Sequence, residues 1–232
     1  MTEVSVRGLT KHFGSVHAVE ELTFEVPSGQ VTGFLGPNGA GKTTTLRMAL
    51  GLVRPTAGEA LIGGHRYGKL AQPRRVVGAL LEATGFHPGR RGRDHLRVLA
   101  QPVGVPAGRV DDVLELVGLT EAADRRVKGY SLGMRQRLGL ASALLGDPEV
   151  LILDEPANGL DPAGIAWLRD LLRKEAKDGR AILVSSHVLS EVAQTVDQVV
   201  IVHEGRLRFA GALDSLGEDS LETAFLNLTG AR

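Results

Sequence analysis

Apolar and polar residues alternate at the start of the chain, and further on they give way to unbroken apolar runs separated by helical stripes. Val4-Ser5-Val6-Arg7-Gly8-Leu9 and Glu21-Leu22-Thr23-Phe24-Glu25-Val26 alternate, which predicts half-exposed antiparallel strands. Pro27-Ser28-Gly29 turns the chain into Val31-Thr32-Gly33-Phe34-Leu35, an apolar run that predicts a buried strand. A helical pattern, Thr44 to Leu50, follows and stops at Gly51, and Gly58 to Gly64 predicts a short edge strand closed by a turn. From about Gly92 to Gly118 the spacing is helical, with Leu96, Leu99 and Ala100, then Val110, Val113, Leu114 and Val117. A further helix opens near Tyr130 and runs to about Leu145. Buried strands are predicted at Val150–Leu153, Ala181–Ser185 and Val199–Val202, the first two separated by an amphipathic helix over Pro162–Lys177. Buried strands alternating with helices imply a parallel sheet covered on both faces. The expected architecture is one α/β domain over residues 1–232 with an N-terminal antiparallel β subdomain. A helical subdomain is inserted at 86–135, and a short helical tail closes the chain at 211–232.

Composition narrows the functional classes. The 27 basic and 27 acidic residues cancel, so no global field draws the chain onto nucleic acid or an anionic membrane. Aromatic residues make up only 4%, which argues against a base-stacking platform. The absence of cysteine excludes disulfides and thiolate metal sites. The N-terminus shows no signal-peptide pattern, and no run of about 18 apolar residues predicts a membrane span. These features are those expected of a cytosolic protein.

Between the predicted strand at 31–35 and the helix at 44–50 lies Gly36-Pro37-Asn38-Gly39-Ala40-Gly41-Lys42-Thr43-Thr44. It fits GxxxxGK[ST] in the strand–loop–helix setting that the motif requires. Glycines let backbone N–H groups approach phosphates where a side chain would collide, and the helix start adds unpaired donors. In such a loop Lys42 reaches the β- and γ-phosphates, and the Thr43 hydroxyl ligates Mg²⁺. The predicted ligands are Mg²⁺ and a nucleoside triphosphate, with ATP the plentiful one in the cytosol.

Val150-Leu151-Ile152-Leu153-Asp154-Glu155 is an apolar run ending in two carboxylates, placed where open α/β sheets bind ligands. Asp154 suits a magnesium ion and Glu155 suits polarising a water. Taken alone, Asp-Glu-Pro would equally serve as an acidic helix start, and the phosphate loop tips the balance toward catalysis.

Three later segments refine the class: Tyr130-Ser131-Leu132-Gly133-Met134-Arg135-Gln136-Arg137-Leu138, Ala157-Asn158-Gly159-Leu160-Asp161-Pro162, and Ser185-Ser186-His187. In this order after a phosphate loop, they resemble the ATP-binding subunits of ABC transporters along essentially the whole chain. The resemblance implies a phosphate-loop NTPase core of ABC ATPase type. Ser131 and Gly133 match the signature that meets the γ-phosphate held by a second subunit. Asp161 matches the loop linking the two sites of a head-to-tail dimer, which is either a homodimer or a pseudo-symmetric ATPase pair. His187 matches the switch histidine, and Phe13 takes the place of the aromatic that stacks on adenine. Alone, His187 would be a polar cap, Ser131 a helix N-cap and Phe13 a core residue.

Leu132 and Met134 depart from the usual signature Leu-Ser-Gly-Gly-Gln. The loop that carries a metal-reading glutamine in the family is represented by Gly78-Ala79-Leu80-Leu81-Glu82, where Glu82 could still bind a metal or be a solvated acid. With the tail Ser220–Gly230, these variations resemble ATPases of ABC-2-type exporters, including the bacitracin and daunorubicin resistance type. That implies a separate integral-membrane ABC-2-type permease, with the ATPase peripheral on the cytosolic face of the cell membrane. Arg74, Arg75, Arg90, Arg91, Arg93 and Arg97 form either a solvated basic face or a surface for the permease's cytosolic helices. Two other readings stand beside the motor subunit: a soluble ABC ATPase with no membrane partner, and a regulatory module that senses ATP without turnover.

Overall fold

The computed structural model describes residues 2–81, 85–217 and 220–230. The chain opens with β1 (Val4–Phe13) and β2 (Val16–Val26), joined through Gly14-Ser15, and continues into β3 (Val31–Leu35) and α1 (Lys42–Ala49). Then come β4 (Ala57–Ile62), a single turn α2 (Pro73–Val76) and β5 (Val77–Leu80). The helices α3 (Gly92–Ala100), α4 (Arg109–Leu116) and α5 (Leu132–Leu144) lie between β5 and β6 (Val150–Asp154). The rest is α6 (Pro162–Lys177), β7 (Ala181–Ser186), α7 (Leu189–Ala193), β8 (Gln198–His203), β9 (Arg206–Ala212) and α8 (Leu221–Thr229).

Two sheets form. The smaller has the order β2-β1-β4 and is antiparallel throughout. The larger has the order β5-β6-β7-β3-β8-β9. Its first five strands run parallel, and β9 returns antiparallel along β8. Every residue of β3, β6 and β7 is buried, as parallel strands covered on both faces require. Period-two alternation divides the core. Phe34, Val150, Ile152, Leu183 and Val200 pack toward the antiparallel sheet and α1. Leu35, Leu151, Leu153, Ile182, Val184 and Ile201 pack toward the helices.

The placement of β3 between β7 and β8 creates the switch point of the sheet. The chain leaves β3, reaches the far edge at β5, returns through β6 and β7, and crosses to β8. In register, Leu35 pairs with Ser186 and Asp154 with Ser185. The carboxyl ends of β3, β6 and β7 therefore lie side by side, where open α/β sheets hold their ligands.

Two expectations are corrected. The sheet is mixed, because β9 adds an antiparallel edge; its residues alternate between exposed and half-buried, with Arg206 and Arg208 outward and Leu207 and Phe209 inward. The segment read as a loop from Gly78 is strand through Leu80, paired to β6, and Glu82 lies outside the described residues. The basic cluster is largely solvated, with Arg74, Arg75, Arg91 and Arg97 exposed and Arg90 and Arg93 half-buried, and three of the six make local contacts. Arg75 donates to the carbonyls of Val103 and Gly104, Arg93 pairs with Asp111 and Asp124, and Arg97 contacts Asp94.

Strand β5 holds its place because α5 lies hard against it. A Cβ on Gly78 would come 2.1 Å from the Ala143 carbonyl oxygen, whereas one on Gly139 would meet the end of the Leu80 side chain at 2.6 Å. Backbone cannot yield and a leucine methyl can. Gly78→Ala is expected to cost about 1–3 kcal/mol, while Gly139→Ala should stay within ~1 kcal/mol because alanine's helix propensity offsets the crowding. Urea unfolding of both variants checks this, and the reverse order would contradict the packing.

Candidate active site

The phosphate loop is shaped by close approaches that leave no room for side chains. A Cβ on Gly36 would lie 2.4 Å from the Val202 carbonyl, and one on Gly41 (φ +97°) 2.4 Å from the Ala18 carbonyl. The loop is thus pressed between the end of β8 and the start of β2. The turn after β8 supports it from behind, with the Gly205 N–H donating to the Ala40 carbonyl at 3.3 Å. No side chain caps the start of α1, so its first-turn N–H groups face an anion site.

Lys42 is only 7% exposed. Its Nζ donates to the carbonyls of Gly36 (2.6 Å) and Pro37 (3.3 Å). Burial pushes its pKa below the ordinary lysine value, opposed by the negative charges of Glu155 and Asp154. Ala18, the loop from Asn38 to Thr44, Asp154 and Glu155 line a cleft of about 250 Å³. The cation, free helix donors and glycine-walled floor fit a polyphosphate.

Asp154, buried at the end of β6, accepts from the Thr43 hydroxyl at 2.7 Å through Oδ2 and from the Ser185 hydroxyl through Oδ1. A hydroxyl and a carboxylate in contact are hard oxygen donors of the kind a magnesium ion takes. Glu155 follows in the left-handed region, at φ +49°, a conformation that costs a non-glycine residue on the order of 1 kcal/mol. Several bonds hold it there. Its N–H donates to Ser185 Oγ at 2.9 Å. Its carbonyl accepts from Gln136 Nε2 and from the Asn158 N–H, both at 3.2 Å. This turn brings the Glu155 carboxylate to 2.8 Å from His187 Nδ1.

The sequence-predicted residues therefore separate into groups. Asn38 to Thr44, Asp154 and Glu155 converge on one cleft, Gly36 closes its base, and His187 touches Glu155. Ser131 and Gly133 are not among the residues lining that cleft. Ser131 caps α5, its Oγ accepting from the Met134 N–H at 3.2 Å. A Cβ on Gly133 would meet the Gly159 carbonyl at 2.9 Å, so the start of α5 sits directly on the loop before α6. Asp161 caps α6 by accepting from the Gly164 N–H at 2.8 Å. Phe13 is 50% exposed at the hairpin tip, not a core residue, and Lys11 Nζ lies 4.8 Å from its ring centre.

Sequence reasoning passed over Ser185, Gln136 and Ala18. The signal for Ser185 was present, since a serine at the end of a buried apolar run needs a partner.

A switch-point cleft with a phosphate loop and paired carboxylates defines the class, a phosphate-loop nucleotide-binding protein. The family model described as ABC transporter matches residues 19–158. The bacitracin transport ATP-binding protein BcrA of Bacillus licheniformis is 46% identical over 209 residues, covering 89% of this chain and 68% of that protein. The lantibiotic transport ATP-binding protein SrtF of Streptococcus pyogenes is 35% identical, covering 97% and 96%. A solved structure of the ATP-binding subunit of an ABC transporter superposes with a TM-score of 0.89 at 28% identity, covering 97% of this chain and 98% of that one. The chain belongs to the ABC transporter family, as an ATP-binding subunit and an ATPase.

Ser185 connects Asp154 to the Glu155 backbone. Ser185→Ala leaves a buried carboxylate oxygen and an N–H without this partner, and is expected to lower stability by about 1–3 kcal/mol. ATP hydrolysis should fall with it. Denaturant unfolding checks the first effect, and an unchanged midpoint would remove Ser185 from this role.

Proposed function

We propose that this chain is the ATP-hydrolysing motor of an ABC-2-type exporter. Two copies, or this chain and a pseudo-symmetric partner, close head-to-tail over two nucleotides and drive a separate membrane permease. The observation that carries the reading is the position of the signature segment. Ser131 and Leu132 are exposed, Leu132 at 59%, at a helix start outside the chain's own phosphate cleft. Such a start can bind a phosphate presented by another subunit. The exporter assignment is supported by relatives named for bacitracin and lantibiotic transport. No helix among the described residues is long and apolar enough to cross a membrane. In this reading the conducting path belongs to the permease, and the ATPase sits on the cytosolic face.

Lys42 and the α1 N–H groups bind the β- and γ-phosphates, while Thr43 and Asp154 would hold Mg²⁺, with Glu82 a further candidate ligand. When bound, that ion neutralises phosphate charge. Glu155 orients the attacking water and accepts its proton, and His187, hydrogen-bonded to Glu155, fixes the carboxylate's direction. Phe13 stacks on the adenine. Closure is favoured while a γ-phosphate is gripped from both sides, and hydrolysis removes that differential affinity. The residues 86–135 are proposed to act as a helical subdomain within one ATPase domain, and 211–232 as its tail.

Glu155→Gln should retain ATP binding and lower turnover by roughly 10²–10⁴-fold, as read by phosphate release. Lys42→Ala should weaken binding itself, as read by nucleotide titration. Near-normal hydrolysis in the first variant, or an unchanged titration in the second, would remove the residue from its role. Tagged Glu155→Gln protein incubated with MgATP should also co-purify a polytopic protein from detergent-solubilised native membranes. Recovery of a soluble homodimer alone would point instead to an ABC ATPase without a membrane partner.

A further inference from the structure

Beside Phe13, and outside the phosphate cleft, the β1–β2 hairpin gathers two histidines and a glutamate that the ATPase reading does not use. His12 and His17 are direct cross-strand partners, and their rings stack with centroids 4.0 Å apart and planes 20° apart. Glu20 Oε1 lies 2.8 Å from His17 Nδ1 and also contacts His12 Nε2. One ligand atom from each of the three residues falls within 4.8 Å of the others.

The backbone explains why Glu20 joins residues that strict alternation would separate. Glu21 adopts φ +49°, and its N–H donates to Thr10 Oγ1 at 3.0 Å. The Glu20 N–H is fixed to the Gly205 carbonyl at 2.8 Å. The change of face comes earlier in β2, where Lys11 pairs with Val19 but His12 with His17: the extra residue Ala18 is a bulge that returns Glu20 to the face of His17. The hydrogen bond from His12, with smaller contributions from the charges of both histidines, holds the Glu20 carboxyl below its ordinary range and outweighs burial. Arg206 lies 3.9 Å from Oε2, which leaves Oε1 to the imidazoles.

We propose that His12, His17 and Glu20 form a binding site for a divalent transition ion of the zinc class. Two imidazoles and one carboxylate suit such borderline ions better than magnesium or calcium, which prefer all-oxygen shells. Ligand bonds of about 2.0–2.2 Å place tetrahedral ligand atoms roughly 3.3 Å apart, so the two rings rotate out of their stack to aim both nitrogens at an ion where Glu20 now bridges them. His12 is half-buried and His17 exposed, which leaves a fourth position open to water. An ion there ties β1 to β2 one residue before Phe13 and one before Ala18, which lines the phosphate cleft.

The test uses tag-free full-length protein and CoCl₂ alone, without nucleotide, so that its outcome is independent of ATP binding or hydrolysis. One equivalent of Co²⁺ should bind with visible d–d bands and be displaced by Zn²⁺. His17→Ala and Glu20→Gln should each weaken binding roughly ten-fold or more. His17 is exposed, so its variant should fold as the parent does. Absence of the bands, or a titration that neither substitution changes, overturns the proposal.

Discussion

The buried carboxylate of Asp154 is the constraint on which the site depends. A charge taken out of water is tolerated only with close partners, and this one has two hydroxyls from different segments, Thr43 at the start of α1 and Ser185 on β7. The positive charge of Lys42 acts on the same cluster. Three chain segments, separated by more than a hundred residues from first to last, are thereby locked at one point. The parallel pairing of β6 with β7 and of β7 with β3 brings their ends side by side, and the hydrogen bonds of Asp154 set their local register.

From that point the geometry propagates through the backbone of Glu155. Its left-handed conformation reverses the chain as it leaves β6, which swings the carboxylate toward His187. The same peptide carbonyl is gripped by Gln136 from α5. A displacement of α5 would therefore reach the Glu155–His187 pair through one hydrogen bond. This is a contiguous physical connection between the signature helix and the residues proposed to activate water, and it lies within one chain. The loop carrying Asn158 completes it, because Gly159 contacts Leu132 and Gly133 while the Asn158 N–H holds the Glu155 carbonyl.

How much of this was legible depended on how many residues carried each signal. Helix α6 was read to its observed ends because its Asp161 cap, Pro162 at the first helical position and long apolar stripe all agree. Strands β3, β6 and β7 were visible as uninterrupted apolar runs. Strand β5 was not, since four residues including Gly78 are too few to show a period, and its burial comes from α5, distant in sequence. Strand β9 was hidden by Arg206 and Arg208 on its outward face. At the site, the phosphate loop and the Asp154-Glu155 pair announced themselves by local motif. The hydroxyl of Ser185 and the amide of Gln136 act through contacts across the fold, and spacing along the chain cannot reveal them. Counting charges along the chain likewise does not show the local contacts that Arg75, Arg93 and Arg97 make, although Arg75 and Arg97 stay exposed.

The state of Lys42 shows why a triphosphate should bind the cleft with a gradient of affinity. The ammonium is buried and turned onto carbonyls of its own loop, Gly36 and Pro37. Those are partial charges, and the depressed pKa records that they and the two nearby carboxylates do not fully offset desolvation. An incoming phosphate brings a full negative charge to a cation already stripped of water and fixed in place, so little reorganisation is needed. The relief grows with each phosphate that reaches the lysine. A nucleotide with a γ-phosphate gains more than one without it, and the same group is the one proposed to meet Ser131 and Gly133 of a second subunit. In the proposed dimer the buried lysine and the exposed Ser131–Gly133 segment would favour the same ligand from opposite sides, which is the differential affinity that a closing and reopening ATPase requires.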